Sequence, residues 1–266
     1  MRSNNPVLSR RGAFSGGGYA TFNTAPSAHE LEEMYAAPAA VATRRMTIDD
    51  VVAKTALTLL TVAGVGAATW VVLPPTSFGI PLVAGLVGFG LAMFITFKRK
   101  ISPPLILTYA VAQGVFIGGI SHIFNVMYPG IVVQAVLGTA AAFAGMLIAY
   151  KSGKIRVTPR FTKILIGATM GFLLLAVTNM LLSVFGVGGG EGLGLRSDSP
   201  LGLLFGVAGV VLASLFLALD FHYVEQAVQH GAPAKEAWLA AFGLTVTLVW
   251  LYIEMLRVIA ILRGDD

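Results

Sequence analysis

Seven apolar stretches, each long enough to cross a bilayer core of about 30 Å as a helix of roughly 20 residues, occupy the chain from Val51 to Leu262. No room is left for a separate soluble domain. The pattern predicts an all-α integral membrane protein with seven spans: 51–73, 78–97, 104–124, 130–150, 161–185, 200–228 and 235–262. Two turn signals support the register. Pro74-Pro75 stops the first span, and Met46-Thr47-Ile48-Asp49-Asp50 reads as a capped helix start with acids at the positive end of the helix dipole.

Charge usage fits that class. Only 12% of the 266 residues are charged, about half the soluble norm. A net charge of +5 could suggest nucleic acid, but the basic residues cluster at helix ends and form no binding face. Fifteen of the 18 Lys and Arg residues fall on the side of the N-terminus, counting Lys98-Arg99-Lys100, the run from Lys151 to Lys163, and Lys235. Arg196, Arg257 and Arg263 fall on the other side. The positive-inside rule therefore predicts a multi-pass protein of the cell (inner) membrane, with a cytoplasmic N-terminus and the C-terminus outside. The absence of cysteine excludes disulfides, thiolate metal sites and thiol catalysis.

Residues 1–46 carry Ser15-Gly16-Gly17-Gly18, scattered Ala and Pro, and an acidic patch at 29–33. They read as a flexible cytoplasmic tail, with residues 47–266 as the membrane domain. His29-Glu30 begins a zinc-protease motif that fails at Glu33, where a second histidine is needed. The glycine-rich segment 186–194 lies between two spans, lacks the strand a dinucleotide loop requires, and reads as a flexible outer connector. No metal cluster, cofactor site or catalytic constellation appears, so the chain is not expected to be an enzyme.

Glycine pairs at Gly114/Gly118, Gly167/Gly171 and Gly202/Gly206 each place two small residues on one helix face, the pattern of close helix packing. Functional interest falls on polar groups inside spans, where an ionisable side chain is costly. Asp220 follows an apolar run from Leu201. At helical rise, the depth of Asp220 on the last helix falls near Leu244–Thr247, so Thr245 and Thr247 are its expected neighbours, with Glu254 about 10 Å farther out. Glu254 and Arg257 form an i,i+3 pair. Gln113 and Asn179 lie within spans and suit hydrogen bonds between helices. Glu225, with His222, Gln226 and His230, is expected to face cytoplasmic water. His122 and Asn125 are placed near the outer end of the third span.

These features resemble the Bax inhibitor-1 (transmembrane Bax inhibitor motif) family, with its bacterial YccA- and YetJ-like members. The likeness rests on Ile101-Ser102-Pro103-Pro104, Gly114 and Gly118, Asp220-Phe221, and the stretch from Trp250-Leu251-Tyr252 to Leu256-Arg257. It implies seven helices with the last inside a bundle of the other six, and a pH-sensitive calcium leak gated by two aspartates that share a proton. Asp220 matches the first aspartate. The second is replaced by Thr247, which can hydrogen-bond but cannot titrate. Glu254 is then the other carboxylate to consider, and Gln113 stands where many members carry Glu. The resemblance thus implies a cation leak with Asp220, Thr247, Glu254 and Arg257 as sensor or gate, and Gln113, Asn179 and Glu225 as polar pore or helix contacts. Its expected partners are the lipid bilayer and transient calcium ions. The alternative is a membrane interaction protein that regulates a partner such as a quality-control protease, with little ion flux.

Overall fold

The computed structural model describes residues 44–98 and 101–264; the expected tail up to Thr43, including the failed zinc motif, lies outside them. Seven helices follow in order: α1 (Ile48–Val72), α2 (Gly79–Phe97), α3 (Pro103–Met127), α4 (Ile131–Lys151), α5 (Pro159–Val184), α6 (Pro200–Gln229) and α7 (Glu236–Gly264). A short 3-10 turn, Val187–Gly190, lies between α5 and α6. All seven helices are long and apolar enough to cross a membrane.

Local chemistry sets the ends. Thr47 caps α1 by accepting from the Asp50 amide at 3.2 Å, and the Asp50 carboxylate accepts from the Thr47 amide at 3.2 Å. Thr158 and Ser199 cap α5 and α6, each followed by a proline at the first helical position, where a missing N–H costs nothing. Between α3 and α4 the backbone turns through Gly130 at φ 83°, a left-handed conformation that favours glycine. The Asn125 side chain accepts from that glycine's amide at 3.0 Å.

Residues 44–46 are part of the packed structure. Arg45 pairs with Pro233 in an antiparallel bridge. The Met46 amide donates to Ala232 at 2.7 Å, and the Ala234 amide donates to Arg44 at 2.7 Å. Lys54 adds a bond to the Ala234 carbonyl at 2.7 Å. The Met46 side chain is buried in the apolar core with Leu217, Ala237 and Leu244. The start of the chain's membrane domain is thus stitched to the α6–α7 turn.

α7 is the inner helix. In its most apolar window 67% of residues are buried, against 44% or less in every other helix. Its backbone lies against α1, α3, α4 and α6. Side chains reach the remaining two: Phe242 packs in a cluster with Ile95 of α2, and Trp250 lies 6.0 Å from the Phe172 ring of α5. Two buried hydroxyl pairs link α7 to its neighbours, Thr58–Thr245 at 2.8 Å and Ser121–Tyr252 at 2.7 Å. By contrast, large apolar residues such as Leu60, Phe89, Leu137 and Leu174 point outward, as lipid contact requires.

The three glycine pairs have different fates. A Cβ on Gly118 would lie 2.3 Å from the Gly66 carbonyl oxygen, so α1 and α3 touch backbone to backbone. Gly206 makes room for the Arg257 side chain, whereas Gly202 packs on the Ser197 carbonyl of the loop just before its own helix. Gly167 and Gly171 have nothing within 4 Å, because the backbone of α5 lies close only to α6 and the adjoining turn among the described elements. Their pairing predicted a helix contact that does not form.

Candidate functional site

Asp220 lies on α6, nine residues before that helix ends at Gln229, and its side chain turns toward α7. There the Thr247 hydroxyl donates to the Asp220 carboxylate at 2.7 Å. The same hydroxyl also reaches the Gly243 carbonyl at 3.1 Å. Gly243 lies beside Asp220: a Cβ there would sit at ordinary contact distance, 3.5 Å, from Asp220 Oδ1. Among the described residues no ion pair involves Asp220.

Thr245, the other expected neighbour, turns away. Its hydroxyl bonds Thr58 on α1 and the Ala241 carbonyl at 2.7 Å. Two residues along a helix differ by about 200° around its axis, so Thr245 and Thr247 face different partners.

Glu254 belongs to a separate cluster. Seven residues beyond Thr247, it sits about 10 Å deeper along α7. Its carboxylate is 3.2 Å from Arg257 and 3.9 Å from Arg196, and the residue is only 2% exposed. Gly209 of α6 admits it: a Cβ there would lie 2.8 Å from Glu254 Cδ. Arg257 in turn packs across the Phe205 ring at 5.5 Å and against Gly206. Two glycines one turn apart on α6 therefore create the slot for a buried ion pair. The two membrane carboxylates point to different partners and do not form a shared-proton pair.

The remaining polar residues act locally. The Asn179 side chain lies near the end of α5 and accepts from the amides of Leu193 and Leu195, at 2.8 and 3.2 Å. It ties down the α5–α6 loop and does not bridge helices. That loop is consequently folded against α5, with Leu195 buried beside Phe172 and Phe205, in place of the loose connector its glycines suggested. Gly192, at φ 66°, is one reason: a Cβ there would lie 2.5 Å from the Asn179 carbonyl oxygen. Gln113 packs on Gly88 of α2, and its Oε1 is buried without a hydrogen-bond partner. Glu225 is exposed and accepts from Tyr150 of α4, whose hydroxyl is also 3.2 Å from His222 Nδ1. His122 stacks on Trp70 with ring centroids 4.8 Å apart and hydrogen-bonds the Leu73 carbonyl at 3.2 Å.

Sequence reasoning missed Arg196 as a partner of Glu254, along with Gly206 and Gly209 as the residues that admit polar side chains. The glycines carried a signal, since each lies at the depth of a polar residue on the facing helix. The loop arginine carried none.

Six apolar helices around a central seventh, with a carboxylate contact between the last two, define a polytopic helical membrane protein. The chain belongs to the Bax inhibitor 1 like family, whose model matches residues 5–264. No curated protein matches it.

Proposed function

We propose that the protein is a pH-sensitive cation leak, with calcium the favoured ion, gated by protonation of Asp220. The observation that carries the reading is the 2.7 Å contact from Thr247 to Asp220. It joins the central helix to a peripheral one through a single titratable group. With the carboxylate ionised, Thr247 donates to it. Once Asp220 gains a proton, its own O–H can donate to Thr247, which then donates to Gly243. The hydrogen bond persists in both states, but a buried negative charge is present in only one. Charge inside an apolar bundle is expensive, so its removal shifts the balance between helix packings.

Calcium prefers six to eight oxygen ligands, and no group of three or more metal-ligating His, Asp or Glu side chains stands together among the described residues. A leak needs only weak, transient coordination during passage. The N-terminus is assigned to the cytoplasm of the cell membrane on the basic-residue asymmetry alone.

The test is calcium flux into proteoliposomes between about pH 6 and 8. Wild-type flux is expected to vary with pH and Asp220→Asn flux to stay constant. Equal pH-dependent flux from both removes Asp220 from the gate.

A second reading, a membrane interaction protein that regulates a partner such as a quality-control protease, draws on the stitched start of the chain. Arg44–Met46 grip the α6–α7 turn, so a partner holding the preceding segment could pull on those two helices. Loss of co-purification on deleting residues 1–43, with flux absent throughout, favours this reading over the leak.

A further inference from the structure

α1 and α4 do not touch, although both pack on α3 and α7. Between them a cavity of about 770 Å³ opens sideways from the bundle, walled by Thr55, Ala63 and Trp70 on one side and Val136 and Ala140 on the other. Its depth comes from absent side chains, because Gly66 and Gly118 meet backbone to backbone along its floor. The floor's hydroxyls are spent on each other in the Ser121–Tyr252 bond of 2.7 Å. Thr139 is satisfied by the Ala135 carbonyl at 2.7 Å. The surface is thus almost wholly apolar.

Thr55 is the exception. Thr61, Thr69, Thr96, Thr108 and Thr139 each bond the carbonyl four residues back, but the buried Thr55 Oγ1 has no partner. It stands at the end of the cleft nearer the start of α1. From Thr55 to Val71 the cleft follows α1 for about 24 Å at helical rise. The Trp70–His122 stack closes the far end.

Size separates the possible occupants. A helix about 10 Å across would take roughly 1,900 Å³ over that length, more than the 1650 Å³ or so of empty space in the cleft with its open side included. One extended hydrocarbon chain fits, and the bilayer supplies it at the open side. We propose that this cleft holds one acyl chain of a phospholipid from the leaflet in which α1 begins, with its ester carbonyl level with Thr55, whose covered hydroxyl turns into the cleft to donate to it, and its methyl end toward Trp70. The chain is a resident ligand, walled on three sides, and differs from lipid sliding over the exposed faces of α2 and α5. The inference is independent of ion flux.

The experiment uses the full chain in phosphatidylcholine vesicles doped with phospholipid carrying a photoreactive diazirine, either near the carboxyl or near the methyl end of one acyl chain. After illumination, adducts are mapped by peptide mass spectrometry. The methyl-end probe is expected to label residues 66–71 and 132–136 about fivefold more than the exposed α5 face at 173–177, a preference the size of one hydrogen bond. The carboxyl-end probe is expected to label residues 55–59. Filling the cleft with Ala63→Phe and Ala140→Phe should abolish the excess while α5 labelling stays. Equal labelling of the cleft and α5 in the unaltered protein overturns the proposal, as does a reversed order of the two probes. The chain lacks cysteine, so Ala140→Cys adds a unique thiol. A disulfide-linked dimer through it would place a second copy in the cleft and also overturn the proposal.

Discussion

The Thr247 hydroxyl holds one proton between two acceptors, the Asp220 carboxylate at 2.7 Å and the Gly243 carbonyl at 3.1 Å. This makes the α6–α7 contact a relay, in which either protonation state of Asp220 finds a partner. Replacing Thr247 by Val keeps the volume and removes the relay. The ionised carboxylate then loses its donor, at a cost of about 1.5–3 kcal/mol for a bond to a charged group. Thr247→Val is therefore expected to move the pH dependence of flux toward the alkaline side, because the neutral acid suffers less from the loss. Flux titrations of both proteins check it.

Thr247→Asp places a second carboxylate at the same contact. Two carboxylates this close cannot both ionise cheaply, so they titrate as a coupled pair. The variant should show two separated steps in flux against pH, against the single step expected of the natural chain. A single unchanged step means that position 247 is not coupled to the gate.

Glu254 and Arg257 provide a stability test away from that contact. Glu254→Gln leaves Arg257 buried with only Arg196, a like charge, nearby, and should destabilise the protein by about 3–5 kcal/mol. Adding Arg257→Met to it should recover much of that loss, since an apolar pair of similar volume avoids the desolvation. Thermal unfolding in detergent, followed for both variants, measures the difference.

Glycine substitutions should divide by contact. Gly118→Ala forces a Cβ to 2.3 Å from the Gly66 carbonyl and should cost about 1–3 kcal/mol or more. Gly171→Ala meets nothing within 4 Å and should stabilise α5 by about 0.5–1 kcal/mol through helix propensity. The same unfolding assay separates them.

Asn179→Ala should free the α5–α6 loop. The amides of Leu193 and Leu195 lose their acceptor, so their hydrogen exchange is expected to quicken while α6 beyond its first turn stays protected. Unchanged exchange at both amides would mean that the glycine turns hold the loop alone.

Much of this was legible in the residues. Seven runs of apolar residues broken by Pro, Gly and basic clusters located each helix of the described residues, with starts and ends a few residues from those observed, because both lipid and bundle interior demand apolar side chains. Asp220 and Thr247 were paired by counting equal depths from the turn at 231–233, which works because two antiparallel helices share one rise per residue. What depth could not supply was rotation. Thr245 and Thr247 share a depth, yet one faces α1 and the other α6. The glycine pairs misled at α5 for a related reason: spacing puts small residues on one face, but whether another helix lies there depends on the whole arrangement. Asn179 was misread because the loop it binds carries its acceptor-seeking groups on the backbone, where composition is silent.

One carboxylate, Asp220, is the proposed proton switch between α6 and α7. The most direct measurement is calcium flux into vesicles as a continuous function of pH, fitted for the number of protons that govern it. One proton, with all pH dependence lost in Asp220→Asn and kept in Glu254→Gln, is the predicted result. Two coupled protons in the natural chain, or pH dependence that vanishes with Glu254 and survives without Asp220, would contradict it.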